Sequence, residues 1–347
     1  MRQARQVTNF AAITHPTYFL QSSFYPDSGM FFISYESGSA QIWETDPDGF
    51  RQITYGPGIH PYSPALSPLG HELIFTRQGA LWALRRHNLE ERLIADFGGA
   101  SVGEASISPD GEWLTAAMKR DGQNGLVVAR TDGSGAHFIP YPRTVIHPQF
   151  HPLEPEWIEF AGDPAPRMHR IRRDGTRLEC LHEHGNDEFV VHETFLGNTG
   201  DLVFTVWPNK LCRMDWTTRE ISTIADFNAW HIAPNGDGTL ILCDTNHPDL
   251  GIHLIDTKTG AREFVCESGA SNQGSQWKTS RYALPEDFAA ARSAAKSGAA
   301  LSWMEASTDT VYGPQWTHPH PSWSPDERRI AFGSDRTGVT QVYVCDL

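Results

Sequence analysis

The chain has 347 residues, of which 39% are hydrophobic, 11% aromatic and 20% charged, and its formal net charge is -14. That charge excludes a general binder of nucleic acid or of an anionic membrane surface, because nothing offsets phosphate repulsion across the molecule. A small anion held by a metal and a few local cations remains compatible with it.

From the N-terminus, Met1–Phe10 carries positive charge with no apolar run behind it, so no signal peptide is expected. No run of about 18 apolar residues follows anywhere, so no membrane span is expected either. Cys180, Cys212, Cys243, Cys266 and Cys345 are odd in number and widely spaced. They form no CxxC, which argues against a zinc ribbon or a disulfide framework and for a reduced, cytoplasmic location.

One pattern recurs along the chain: a short strand, a Ser-Pro-Asp-Gly-like turn, then an apolar strand. It begins with Phe24-Tyr25-Pro26-Asp27 before Met30–Ile33, and returns at Leu66-Ser67-Pro68 before Leu73–Phe75 and at Ile107-Ser108-Pro109-Asp110-Gly111 before Trp113-Leu114. Further copies are Phe150-His151-Pro152 before Trp157–Phe160, Phe195-Leu196-Gly197 before Leu202–Phe204, Ile232-Ala233-Pro234 before Leu240–Leu242, and Trp323-Ser324-Pro325-Asp326 before Ile330–Phe332. Successive turns lie 37 to 45 residues apart until the last gap, which is 91. Seven copies at this period predict an all-β, seven-bladed β-propeller of four-stranded blades, forming a single domain over 1–347. Two β-sandwiches would not give one period throughout. The chain ends after the third strand of the last copy, so a stretch around Ala11-Ala12-Ile13 is the candidate for its fourth strand.

The long gap holds a predicted insertion over 268–314 near the channel mouth. It is expected to be partly helical, because Glu286–Lys296 is rich in helix formers and Pro285 suits a first-turn position. Directly after it comes Gln315-Trp316-Thr317-His318-Pro319-His320-Pro321. On a strand, residues i and i+2 point the same way, so His318 and His320 would project together. Pro319 and Pro321 suit the end of an innermost strand or its entry loop. Two imidazoles beside the amide oxygen of Gln315 form a candidate divalent-metal site.

In a propeller the strand leading into each turn lines the channel. The entry ends of blades four to seven carry His147, His192, His231, and His318 with His320, so four neighbouring blades aim histidine at the axis on one face. The loops joining second to third strands bring Arg167, His247 and Arg336 to the same rim. His151, His169, His182, His184 and His253 lack this placement and read as structural or solvated. Trp230 and Trp316 flank the candidate ligands and suit either stacking on a sugar face or packing between blades. No carboxylate pair stands out as a glycosidase dyad.

These residues resemble the oligogalacturonate lyases, a seven-bladed propeller family of intracellular pectin-degrading enzymes. Gln315–Trp323 is similar to that family's QxTHPHPSF segment, and Trp230–Leu240 to its NHFMSNxDGSL segment. Val191-His192-Glu193-Thr194-Phe195 resembles its THEFW and Pro166-Arg167-Met168 its ARMW; weaker similarity runs from Tyr18-Phe19 to the C-terminus. By position, the resemblance implies manganese ligands at His231, Gln315, His318 and His320. It also implies a catalytic base at His192 and a substrate-carboxylate arginine at Arg167. The loop Ala161–Pro166 is shorter than the family's and lacks its CHEGP-like portion, and the helix from Glu286 departs from it too. Both departures fall near the substrate entrance.

The implied reaction is β-elimination. A base removes the C5 proton α to a uronate carboxylate while metal and guanidinium neutralise that carboxylate. The implied partner is a short anionic oligosaccharide, galacturonate first, with another uronide as the alternative. A non-catalytic TolB-like propeller binding a protein or ligand through its channel is the reading from a different class. It leaves the gathered histidines unexplained. The propeller of a prolyl-oligopeptidase-type enzyme would need a hydrolase domain, for which there is neither room nor a GxSxG motif. Oligomeric state is not set by the sequence.

Overall fold

The computed structural model describes residues 2–162, 165–185, 187–246, 248–272 and 315–347. They form seven four-stranded antiparallel sheets, the blades that the repeat predicts. Blades one to six each take consecutive strands. Their inner strands are Thr14–His15, Ala65–Leu66, Ser101–Ile107, Ile146–Phe150, Val190–Phe195 and Ala229–Pro234. Blade seven has Ser322–Trp323 innermost, then Arg329–Ser334 and Gln341–Asp346, and receives its outer strand from the N-terminus.

That closing strand is Arg5–Gln6, with Arg5 opposite Val344 and Gln6 opposite Tyr343, rather than the expected Ala11–Ile13. The reason is steric economy: Thr14 and His15 already pair with Ser34 and Ile33 as the inner strand of blade one, so the connection must use the residues between. The insertion expected over 268–314 lies, beyond Asn272, outside the described residues, as does His247. The first described residues after it form a single 3-10 turn, Gln315–Thr317, and no helical insertion is seen among the described residues.

In four of the seven blades the recurring turn has one construction. In blade three the Gly111 N–H donates to the Ser108 carbonyl (2.8 Å), the Trp113 N–H donates to Ser108 Oγ (2.9 Å) and the Glu112 N–H to Asp110 Oδ1 (2.9 Å). Gly111 sits at φ 73, which glycine adopts without a Cβ penalty. Ser67 and Ser324 repeat the side-chain contact with Glu72 and Arg329, and Asn235 does so with Leu240. The first residue's side-chain oxygen therefore explains why Ser or Asn opens this turn.

Between each pair of neighbouring blades lies an apolar cluster. One example joins blades six and seven through Ala233, Leu242, Trp323, Ile330 and Phe332, where Trp323 Nε1 also donates to the Ala233 carbonyl (2.7 Å). Another closes the ring between blades seven and one through Phe24, Met30, Phe32, Ala331, Val342 and Val344.

Polar groups lock the same closure. Buried Gln341 accepts from the Thr8 hydroxyl (2.8 Å) and the Phe10 N–H (3.0 Å), and donates to the Phe10 carbonyl (3.0 Å). Gln341→Ala is therefore expected to destabilise the fold by about 2 to 3 kcal/mol, since it strands buried partners. Chemical denaturation would check this; a cost below about 0.5 kcal/mol would show that the ring closes without this side chain.

Candidate functional site

The inner strands converge on the axis, and their entry ends are irregular in a shared way. Register breaks fall between Ile146 and Gln149 in blade four, Val191 and Thr194 in blade five, and Ala229 and Ile232 in blade six. Such bulges re-aim a side chain at the cost of ladder bonds. Here they turn His147, His192 and His231 toward one another. His147, His192 and His320 have positive φ (56, 57 and 45), a backbone state that L-residues seldom adopt and that gathers at functional sites.

His231, His318 and His320 come together with one ligand atom from each lying within 4.8 Å of the others, and all three are buried. Their ring centroids are 3.9 Å apart for His231 and His320, and 5.4 Å for His231 and His318. The convergence does not come from a strand, as an i, i+2 alternation would have it. Only Ser322–Trp323 pairs, and residues 318–321 form its entry loop after the 3-10 turn.

Asp244, on the second strand of blade six, organises the cluster. Its carboxylate accepts from His231 Nδ1 (2.7 Å), from the His231 backbone N–H (2.7 Å) and from the His320 backbone N–H (3.3 Å). The first bond sets the His231 tautomer and leaves Nε2 as its ligand nitrogen. His320 Nε2 lies 3.1 Å from the Gln315 carbonyl, leaving Nδ1. His320 Nδ1 and Gln315 Oε1 are both buried without a hydrogen-bond partner. Burial holds His231 and His320 well below the usual imidazole range, with neighbouring imidazoles adding to the effect, so both rings are neutral. Burial pushes Asp244 up to about 7, against the pull of the N–H groups it accepts from. Neutral imidazoles with fixed tautomers beside an unpartnered amide oxygen are the donor set of a divalent ion with nitrogen and oxygen ligands, and these residues fit one.

His192 lies beside this cluster, 4.6 Å from His231 and 4.5 Å from Trp230 between ring centroids. It is buried, its Nδ1 makes no hydrogen bond, and burial together with His231 and His147 holds it well below the usual range. Arg167 is buried too. Its Nε donates to Glu193 Oε1 (3.0 Å) and its backbone N–H to His184 Nε2 (2.9 Å). Burial opposes ionisation of Glu193, but the Arg167 guanidinium outweighs it and holds that carboxyl far below the carboxylate range. Beside the pair stands Glu159, fully buried with neither oxygen hydrogen-bonded; burial, then Glu193, pushes it well above the carboxylate range.

Arg336, on the loop between the second and third strands of blade seven, donates to the Glu267 carbonyl (2.7 Å) and to that of Ser268, which follow the last strand of blade six. His184, read as structural, carries the backbone of Arg167. His151, His169 and His253 are structural as expected, each within hydrogen-bond distance of a backbone carbonyl: Gly200, Arg167 and Leu250. Trp230 packs against Trp207 at 5.3 Å as well as His192.

Sequence reasoning missed Tyr18 and Phe19. They sit on residues 16–23, which interrupt the inner strand of blade one between Thr14–His15 and the bridge of Phe24 to Met30. The Tyr18 hydroxyl lies 2.8 Å from His147 Nε2, its ring is 5.0 Å from His320, and Phe19 meets His192 edge-on at 5.3 Å. Asp244 was missed as well, although a carboxylate directly after the apolar run Leu240–Cys243, within the same strand, was the available signal.

No family model matches the chain. It is similar in sequence to the oligogalacturonate lyase of Dickeya dadantii, 26% identical over 214 residues. That match covers 57% of this chain and 48%, about half, of that protein. It is also similar to the oligogalacturonide lyase of Pectobacterium atrosepticum, 22% identical over 376 aligned positions covering 96% of this chain and 90% of that protein. Among solved structures, an oligogalacturonate lyase in complex with manganese superposes with a TM-score of 0.78 at 20% identity, covering 100% of this chain and 96% of the other. At that identity the structural likeness speaks for the fold. Sequence and fold thus agree with the resemblance carried by Gln315–Trp323 and Trp230–Leu240.

The Glu159 carboxyl gives a pH prediction. Its folded pKa is raised above the unfolded value, so between the two the folded protein binds the extra proton and stability falls as pH rises. Glu159→Gln removes that slope. Melting curves from pH 5 to 8 are expected to show the variant gaining on the wild type as pH rises; parallel curves would mean that Glu159 ionises in the folded protein.

Proposed function

We propose that this chain, a relative of the oligogalacturonate lyases in sequence and fold, is a metal-dependent lyase that cuts short uronate oligosaccharides by β-elimination. The observation that carries the reading is the buried His192 ring, 4.6 Å from His231, beside the three-histidine cluster of His231, His318 and His320. Galacturonate oligomers are the first substrate class. Five free cysteines, four buried and one half-buried, suit a reducing cytoplasm.

His231, Gln315, His318 and His320 would hold the divalent ion, with manganese as the first choice. When bound, it supplies a Lewis acid for the substrate carboxylate, making the adjacent C5 proton more acidic. An all-neutral ligand set leaves such an ion's charge to be balanced by an anionic ligand. Asp244 fixes the direction of His231, and the Gln315 carbonyl that of His320. Arg167, its charge already shared with Glu193, offers a planar guanidinium to the same substrate carboxylate.

His192 takes the proton from C5. The C–H electron pair forms the C4=C5 double bond, the C4–O bond breaks, and the leaving oxygen gains a proton. Burial, with His231 and His147 adding to it, holds His192 well below its usual range, which keeps it unprotonated. The negative charge of an arriving uronate stabilises its protonated form and so strengthens it as a base at the moment of use. Phe19 and Trp230, packed against the ring, restrict water there.

The direct test is the rise in ultraviolet absorbance from an unsaturated uronide, using EDTA-stripped protein with digalacturonate or trigalacturonate, with and without Mn2+. A metal-dependent rise is expected; no rise and no bound metal would favour a non-catalytic binding propeller. His192→Ala is expected to lower kcat by about 100-fold or more while metal still binds, and His318→Ala to lose the metal. Unchanged activity in the first would remove the base, and stoichiometric metal in the second would remove the ligand. Asp244→Asn should weaken metal affinity about 10- to 100-fold. Calorimetric titration would measure it, and unaltered affinity would show that His231 needs no orienting carboxylate.

A further inference from the structure

We infer that a cleft shared by blades two, three and four is a further subsite of the same channel, holding one more sugar ring of the oligosaccharide through its hydroxyl groups. This rests on the lyase reading above. The cleft has a volume of about 270 Å³, and its lining includes His60, Glu104, Asn124 and Ile146. Ligand pockets start near about 300 Å³, so a cleft of this size takes one small unit rather than a chain.

Its position follows from the bulges. Blade three breaks register between Val102 and Ala105, at the entry of its inner strand, as blades four to six do at theirs. Glu104 is the second of the two residues in that break, the position that His231 holds in blade six. In blade two, His60 stands between the isolated bridge of Ile59 to Arg77 and the inner strand Ala65–Leu66. The proposed chemistry draws on entry residues of blades five to seven, with Arg167 from blade four. Of the entry residues it leaves unused, His147 is already partnered by Tyr18, whereas His60 and Glu104 have unpartnered atoms.

Both are built for a ligand that is not a neighbouring side chain. Glu104 is only 4% exposed, and its Oε2 has no hydrogen-bond partner; His60 Nδ1 is buried and likewise unpartnered. An unsatisfied buried carboxylate oxygen is costly, and sugar hydroxyls arriving as donors would satisfy it. A neutral imidazole both donates and accepts, which suits a hydroxyl, and burial keeps His60 neutral. Lys119 lines the cleft as well, so its charge is mixed, and the ring's hydroxyl groups are what Glu104 Oε2 and His60 Nδ1 can meet there. Tyr62 lies 6.2 Å from His60 and 5.9 Å from His320, and Tyr18 lies 5.4 Å from Tyr62. The two tyrosines thus stand between the cleft and the histidine cluster, so the ring held in the cleft is not the one that loses its proton.

The test is steady-state kinetics of the manganese-loaded protein on trigalacturonate, comparing wild type with Glu104→Gln and His60→Gln. Both variants are expected to raise KM at least tenfold while kcat changes less than threefold, the split that marks binding felt equally in ground and transition states. A fall in kcat at unchanged KM would overturn the subsite by moving these residues into the chemistry, and unchanged kinetics in both variants would overturn it outright. No unsaturated product from the wild type would instead remove the lyase reading, and the subsite with it.

Discussion

The structure depends on closing a ring. Each blade has two apolar faces and buries them only against its neighbours, so an open array leaves the faces of its two end blades in water. The interface between Phe24, Met30, Phe32 and Ala331, Val342, Val344 exists only when the chain's two ends meet. Arg5–Gln6 supplies the outermost strand of the last blade, and Gln341 reaches across to Thr8 and Phe10. The inner strands are then held with their entry ends facing one axis, and every feature of the candidate site inherits that placement.

A regular ladder would not by itself make a site at such an axis, because alternating side chains point along the sheet normals into the neighbouring blades. Register breaks in blades three to six turn single residues out of that pattern. The strained backbone at His147, His192 and His320 is tolerated because neighbouring structure over-determines it. His147 is within hydrogen-bond distance of Tyr18, and His320 is anchored at its N–H by Asp244 and at its ring by the Gln315 carbonyl. Packing of the blades therefore converts into fixed directions for imidazole rings.

Much of this was legible in the sequence because it depended on local chemistry repeated many times. The Ser-Pro-Asp-Gly turn writes its hydrogen bonds into residue identity, as at Ser108 and Ser324, so seven blades could be counted. Histidines placed a few residues before those turns could be assigned to the axis without knowing any contact. What stayed hidden was non-local or irregular. Asp244 matters through a partner 13 positions away in the chain, and Tyr18 through one 129 positions away. No pattern of period two marks a bulge or an entry loop in advance, which is why an i, i+2 argument brought His318 and His320 together for the wrong reason. The closing strand was displaced because hydrophobicity near Ala11–Ile13 does not report that Thr14 and His15 are already engaged.

In the proposed reading, the acids around the axis explain how a chain of net charge -14 would receive an anion. Asp244 spends its lone pairs on His231 and on two backbone N–H groups. Glu193 is matched by Arg167, and Glu159, unmatched, keeps its proton. Each of these carboxyls is neutralised or turned away, and the face they leave toward the cluster is made of neutral imidazoles and one amide oxygen. Glu104 is the exception, standing three blades away from the cluster with an unsatisfied oxygen. In the proposed reading that asymmetry orients the substrate: the end of the channel with neutral ligands and a cation takes the uronate carboxylate, and the end where Glu104 and His60 have unpartnered atoms takes hydroxyl groups. The same polymer can satisfy both only in one direction, so the placement of polar groups rather than shape alone would decide which bond meets His192.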